Sequence, residues 1–196
     1  MRTLEDGVVP GSEIPEAQFR LARKQELAVT SSVHKQYRAW QEPNPVDDPG
    51  LFILGEEGTG KTTLGLMAML YLIDQGVESS DVYYWSAIDY LEDVRQLHRY
   101  EDMTKTPYNG AAEMALWKEY QQFEKQLELI ELTPVLFIDQ VFTIPIKLIA
   151  IRFERMLRER EGRSLCTIAA VSAHKHSQLD PAIASLLSRN ADTITL

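Results

Sequence analysis

The amino-acid sequence predicts an α/β fold in which a parallel sheet is sandwiched between helices, with a short helical segment ahead of it. Three observations point there. From residue 51 onward, short apolar runs alternate with longer stretches of helical period, the pattern of strand–helix–strand crossovers. The first apolar run, Leu51-Phe52-Ile53-Leu54, leads into Gly55-Glu56-Glu57-Gly58-Thr59-Gly60-Lys61-Thr62, a G-x-x-x-x-G-K-T junction that opens a helix. Finally, 196 residues at 44% hydrophobic content hold one core's worth of sequence.

The elements follow in order. Residues 1–16 contain Pro10, Gly11 and Pro15 without a sustained period and read as an extended arm. Residues 17–40 lack Gly and Pro and carry Phe19, Leu21, Leu27, Val33, Tyr37 and Trp40; they read as one or two helices, with Thr30-Ser31-Ser32 as the break. Pro43, Pro45 and Pro49 make 41–50 a loop. Residues 51–54 form a strand buried on both faces, and the helix from Thr62 runs to Asp74, stopped near Gly76. A strand at 82–85 and a helix at 88–100 come next, closed by a polar stretch with Pro107, Asn109 and Gly110. Residues 111–131 place Leu116, Tyr120, Phe123, Leu127 and Ile130 on one stripe, an amphipathic helix that either docks a partner or packs as an outer layer. Pro134 stops it. A strand at 135–138, a helix at 146–161 ending at Gly162, a strand at 165–171, a helix at 181–189 and a strand at 193–196 complete the order.

Composition narrows the function classes. No apolar run approaches the roughly 20 residues that a membrane-spanning helix needs, and the first residues lack the apolar core of a signal peptide. The single cysteine, Cys166, lies in an apolar run and reads as a buried free thiol. Cytoplasm, of a bacterium or of a phage-infected host cell, is the expected compartment. A net charge of −9 argues against a surface uniformly wrapped in nucleic acid. Two stretches rich in cations, 17–40 and 145–163, are the candidate polyanion-facing surfaces; a solvated helix face is the plainer reading of each.

The G-x-x-x-x-G-K-T run carries the chemistry. Phosphates need a backbone that wraps closely enough for several N–H groups to donate, and Gly55, Gly58 and Gly60 permit that approach. Glu56, Glu57, Thr59 and Thr63 complete the binding segment. The helix from Lys61 aims its positive end at the phosphates, Lys61 reaches the β- and γ-phosphate oxygens, and the Thr62 hydroxyl ligates magnesium. ATP with Mg2+ is the expected ligand. Val135-Leu136-Phe137-Ile138-Asp139 ends a buried strand in an acid, which places the Asp139 carboxylate beside the same magnesium.

Beside these, Ala173-His174-Lys175-His176 lacks the further ligands of a zinc site. Asp89 caps the next helix rather than facing the cleft. Tyr83, Tyr84 and Trp85 read as core rather than as stacking platforms for bases.

Residues 50–196 resemble the DnaC/IstB-like branch of the AAA+ ATPases, which includes bacterial and phage replicative-helicase loaders. The glycine-rich loop carries that resemblance first. The unit from Val82 to Leu91, the strand ending in Asp139, the arginine-rich helix after it and Thr167-Ile168-Ala169-Ala170-Val171-Ser172-Ala173, similar to the family's sensor strand, follow. The closing helix 182–189 and strand 193–196 match in order and spacing. The resemblance implies an AAA+-like P-loop NTPase domain over 46–196, with residues 1–45 as its N-terminal arm and helical segment. It also implies a helicase-loader-type role in DNA replication, a replicative helicase or other DNA-processing protein as partner, single-stranded DNA as a further partner, and a nucleotide-dependent homo-oligomer without membrane contact.

Three departures bear on turnover. Gln140 stands where the family has a second acid that orients the attacking water, and an amide cannot accept a proton. The sensor asparagine aligns with Ala173, leaving Ser172 or His174 as substitutes. The arginine that the family presents to a neighbouring subunit falls near Leu186, with Arg189 one turn further on. Slow intrinsic hydrolysis is the expectation. An IstB-like transposition ATPase and a nucleotide-dependent interaction module with little catalysis are the alternatives.

Overall fold

The computed structural model describes residues 16–24, 30–42, 50–104, 111–141, 147–189 and 191–196. The expected arm before residue 16, the proline-rich loop over 43–49 and the polar stretch at 105–110 lie outside them.

Helix α1 (Glu16–Arg23) and helix α2 (Ser31–Gln41) precede the sheet. Of the hydroxyl cluster expected to break the helix, Thr30 caps α2, its Oγ1 accepting from Val33 N at 3.4 Å, while Ser31 and Ser32 lie in the helix as its first two residues. Strand β1 (Gly50–Gly55) feeds helix α3 (Lys61–Asp74) through the glycine-rich loop. Helix α3 ends as Gly76 takes φ +102, with Gly76 N donating to Ile73 O at 2.9 Å and Val77 N to Leu72 O at 3.1 Å. Only a residue without Cβ enters that conformation freely.

Strand β2 (Val82–Ser86) follows a short 3-10 turn at Ser79–Asp81 that the sequence pattern did not reveal. Helix α4 (Ala87–Thr104) outruns the expected end at Tyr100, and its cap is Ser86 rather than the expected Asp89, whose carboxylate accepts from the Ser86 hydroxyl and from no helix N–H that the described bonds include. Asp89 N donates to Ser86 Oγ at 3.1 Å while Ser86 Oγ donates back to Asp89 Oδ2 at 2.7 Å. Helix α5 (Ala111–Glu131) packs on α4, burying Leu127 and half-burying Leu116, Tyr120, Phe123 and Ile130 along the expected stripe. Strand β3 (Val135–Val141), helix α6 (Lys147–Gly162), strand β4 (Cys166–Ser172), a single-turn helix α7 (Ala173–His176), helix α8 (Pro181–Arg189) and strand β5 (Asp192–Thr195) complete the chain.

The five strands are all parallel, in the order β2-β3-β4-β1-β5. Alternation along each strand sends its side chains to two cores. On one face Ile53, Tyr84, Phe137 and Ile168 pack against α3, with Ala22 of α1 and Val33, Tyr37 and Trp40 of α2 in the same cluster. On the other, Phe52, Trp85, Ile138 and Val171 pack under α4, α6 and α8. Each large apolar side chain so buried contributes about 1.5–3 kcal/mol. Strand β3 carries one irregularity. Its register with β4 steps from Ile138 opposite Ala169 to Val141 opposite Val171, so one extra residue bulges out at Asp139-Gln140, and Gln140 takes φ +57.

Candidate functional site

The sheet's carboxyl edge brings the chemistry-bearing residues together. Gly55 ends β1 beside Ser172 of β4, and Asp139 of β3 lies beside Ser86 of β2. Between them opens a cleft of about 750 Å³ lined by Glu57–Thr63, Asp139, Gln140, Ser172 and Lys175, with Gln18 and Leu21 of α1 along one side.

The loop has the backbone its glycines predict. Gly58 takes φ +81 and Gly60 φ +97, both left-handed. A Cβ at Gly55 would meet Thr59 Oγ1 at 2.8 Å and Leu196 Cβ at 2.9 Å, so the floor of the loop has room only for glycine. Thr59 Oγ1 donates to Glu56 O at 2.8 Å, closing the turn. Lys61 Nζ donates to the carbonyls of Gly55, at 3.0 Å, and Glu56. Burial lowers the Lys61 pKa, opposed by the nearby carboxylates of Asp139, Glu57 and Glu56.

Across the cleft floor, Thr62 Oγ1 donates to Asp139 Oδ2 at 2.8 Å, joining residues 77 positions apart. Asp139 is fully buried, and its other partners are Tyr84 OH at 3.0 Å to Oδ2 and Gln140 N at 2.9 Å to Oδ1. Burial raises the Asp139 pKa; these hydrogen bonds and the Lys61 ammonium oppose the shift. A hydroxyl and a carboxylate in contact are hard oxygen donors of the kind magnesium takes, in small number, alongside phosphate oxygens. The residues present therefore fit that ion. Among the described residues no group of three or more His, Cys, Asp and Glu could hold a metal ion.

Two carboxylates at the rim are answered by the turn after β4. His174 lies 4.0 Å from Glu56 and 3.9 Å from Glu57, and Lys175 Nζ lies 3.5 Å from Glu57. Of the two substitutes for the sensor asparagine, Ser172 is nearly buried at the cleft floor, while His174 is half exposed and turned to the loop's acids.

Arg189 is not brought to this cleft. It sits at the exposed end of α8, 3.5 Å from Glu161 Oε1 and 3.3 Å from Ser185 Oγ, while Leu186 is buried in the second core. Nor is the stretch 145–163 an uninterrupted cationic face, as the residues around its arginines explain. Arg160 is fully buried, donating to the carbonyls of Glu131 (2.9 Å), Thr133 (2.7 Å) and Cys166 and to Thr167 Oγ1 (3.0 Å). Arg152 forms a two-pronged pair with Glu131 at 2.7 and 2.9 Å, and Arg158 and Arg163 pair with Glu154 and Glu159 one turn back. Arg155 remains exposed.

Tyr84 is the site residue that sequence reasoning missed. It reads as core, and its ring is core; the contact of its hydroxyl with Asp139 depends on β2 pairing with β3 in one register, Tyr84 opposite Phe137. No local motif encodes that. Among the described residues no helix is long and apolar enough to cross a membrane.

No protein-family model and no curated protein matches the sequence. Solved structures do. A DnaC helicase loader superposes with a TM-score of 0.64 at 14% identity, covering 92% of this chain and 99% of that one. DnaI superposes at 0.62 with 16% identity, covering 94% and 95%. The replication initiator DnaA bound to AMPPCP and single-stranded DNA superposes at 0.63 with 15% identity, covering 94% of this chain and about half, 51%, of that one. Identities this low carry the fold alone: the chain shares the α/β fold, a five-stranded parallel sheet between helices, of the DnaC, DnaI and DnaA structures.

Proposed function

We propose that this protein binds ATP with magnesium in the cleft above Gly55–Thr63 and acts as a helicase-loader-type switch in DNA replication, hydrolysing its nucleotide slowly. The observation that carries the reading is the contact of Thr62 Oγ1 with Asp139 Oδ2 at 2.8 Å, at the mouth of a glycine-rich loop that also holds Lys61. The loop N–H groups and the α3 N-terminus receive the phosphates. Lys61 exchanges its carbonyl partners for β- and γ-phosphate oxygens. Thr62 and Asp139 hold the magnesium, which supplies charge neutralisation on the phosphates. In hydrolysis a water oxygen bonds to the γ-phosphorus as the bond from that phosphorus to the bridging oxygen breaks, the water's proton passing to a γ-phosphate oxygen and on to solvent, leaving ADP and phosphate. Gln140 orients that water but cannot take its proton, and Ser172, on the cleft lining, stands in for the sensor residue. Arg189, exposed on α8 and 3.5 Å from Glu161, is left by this reading to act, if at all, on a neighbouring copy's site.

The relatives of this fold named for helicase loading and for single-stranded DNA support a replicative helicase or another DNA-processing protein as partner, with single-stranded DNA as a further contact and cytoplasm as the compartment. The neutral Gln140 at the hydrolytic position specifically favours a second reading, a nucleotide-gated interaction module with little catalysis. An IstB-like role predicts instead a preference for duplex DNA and a transposase.

Calorimetric titration of ATP with magnesium tests the site: the wild type binds and Lys61→Ala does not, and equal affinities remove the assignment. Light scattering after size exclusion, with and without a non-hydrolysable ATP analogue, tests the switch. A monomer under both conditions argues against any role for Arg189 in trans.

A further inference from the structure

The two oxygens of Asp139 are not equivalent. Oδ2 accepts from Thr62 Oγ1 at 2.8 Å and from Tyr84 OH at 3.0 Å, whereas Oδ1 accepts only the Gln140 N–H at 2.9 Å among the described contacts. A carboxylate oxygen offers about two acceptor directions, so Oδ2 is filled and Oδ1 keeps one open. Tyr84 arrives from β2 as a fully buried side chain, its ring edge-on to Phe137 with centroids 5.3 Å apart. Packing alone would be served as well by phenylalanine. The hydroxyl is the part that packing does not explain, and it ends on the one carboxylate of the cleft floor.

We propose that Tyr84 is a positioning residue for the metal-side carboxylate: together with Thr62 it occupies Oδ2, locks the carboxyl plane and presents the open direction of Oδ1 to the hydrated cation accompanying a nucleotide. This rests on the nucleotide reading above. Without the phenol hydrogen bond Asp139 keeps Thr62 on Oδ2 and the Gln140 N–H on Oδ1, but its terminal torsion, a broad and roughly two-fold well, loses one of three restraints and the orientation of Oδ1 is held less firmly. Partners that orient a metal-binding group are typically worth about 10–100-fold in metal affinity.

The test uses Mn2+ as the probe, titrated into the full chain loaded with ATP and followed by electron paramagnetic resonance, with ATP affinity measured separately in a chelator. Tyr84→Phe keeps the ring. The expected result is Mn2+ affinity about 10–100-fold weaker with ATP affinity in chelator unchanged. Unchanged Mn2+ affinity overturns the proposal, and so does a parallel loss of both affinities, which marks a packing role. If Tyr84→Phe does not fold, 3-fluorotyrosine at position 84 retains the ring and makes a stronger donor. Mn2+ affinity is then kept or raised, and a weakening overturns the proposal. A wild type that binds no ATP in either condition instead overturns the nucleotide reading itself, and the positioning role with it. A wild type that binds Mn2+ and ATP tightly while Tyr84→Phe matches it removes Tyr84 alone.

Discussion

Gly65 of α3 lies face to face with the ring of Phe137 on β3: a Cβ at position 65 would stand 2.2 Å from Phe137 Cζ and within 2.7 Å of two further ring atoms. The helix that follows the glycine-rich loop is thereby seated directly on the strand that carries Asp139. Phe137 also abuts Tyr84, so a displaced ring pushes on the phenol that holds the carboxylate. Gly65→Ala is expected to destabilise the fold by about 1–3 kcal/mol through overpacking, read as a lower urea midpoint with an unchanged slope. An unchanged midpoint would show that the Phe137 ring slides aside freely.

Arg160 supplies stability from the opposite edge of the sheet. Its guanidinium ties the carbonyls of Glu131 and Thr133, after α5, to that of Cys166 at the start of β4, and burial lowers its pKa to about 10. Arg160→Ala strands three carbonyls and a hydroxyl, an expected loss of about 3–5 kcal/mol. Lysine, with a point charge in place of a fork, restores only part of it. Denaturant unfolding of both variants checks the order wild type, then lysine, then alanine.

The raised pKa of Asp139 has a defined sign in stability. The folded chain keeps the proton to higher pH than the unfolded chain, so stability present below the ordinary value of about 3.9 falls as pH rises from there through the folded value. Asp93 and Glu131 are raised in the same direction, so the measurement is a difference. Asp139→Asn flattens the pH dependence of the melting temperature above that point, and its metal-free stability equals or exceeds that of the wild type near neutrality. The same variant loses the magnesium-dependent gain in ATP affinity. Parallel pH curves for the two proteins would contradict the assignment.

Glu57 places a carboxylate at the rim of the cleft proposed to take the phosphates and engages Lys175 at 3.5 Å, with the acid 69% and the lysine 40% exposed. An exposed pair of this kind is worth about 0–1 kcal/mol, weak enough for a phosphate to displace. Glu57→Gln is therefore expected to tighten ATP binding about two- to fivefold, more at low salt than at high. Lys175→Gln should weaken it. Titrations at two ionic strengths decide, and a salt-independent change would place the cause elsewhere.

Gln140→Glu restores an acid at the position where a base orients water. If the neutral amide limits turnover, steady-state phosphate release rises by about tenfold or more, since positioned acid–base groups contribute about 10²–10⁴. Fast release from the wild type without any partner would equally refute the slow-turnover reading.

What could be read along the chain was whatever is contiguous in it. The loop from Gly55 to Thr62 contains its own glycines, lysine and hydroxyl, and the strand before Asp139 announces its burial by composition. The pairings across the sheet were not contiguous. Tyr84 reaches Asp139 only because β2 and β3 align Tyr84 with Phe137, and Arg160 turns inward only because α6 lies on the sheet with that position underneath. An arginine-rich period looks the same whether one of its cations is solvated or buried. The turn α7 left no mark because a single helical turn has no period to detect. Its contacts with Glu56 and Glu57 join residues more than a hundred positions apart.

The bulge in β3 separates the needs of the sheet from those of the cleft. Asp139 shares its face with Phe137 and α3, whereas Val141 belongs to the opposite core with Ile138, and the extra residue between them reverses the alternation. Were Gln140 absent, Asp139 and Val141 would be neighbours on a regular strand and would still point to opposite faces. The sheet could do without this residue. Gln140 is held at φ +57 on the lining of the cleft, with its N–H returned to Asp139, a conformation that a side chain enters at a cost.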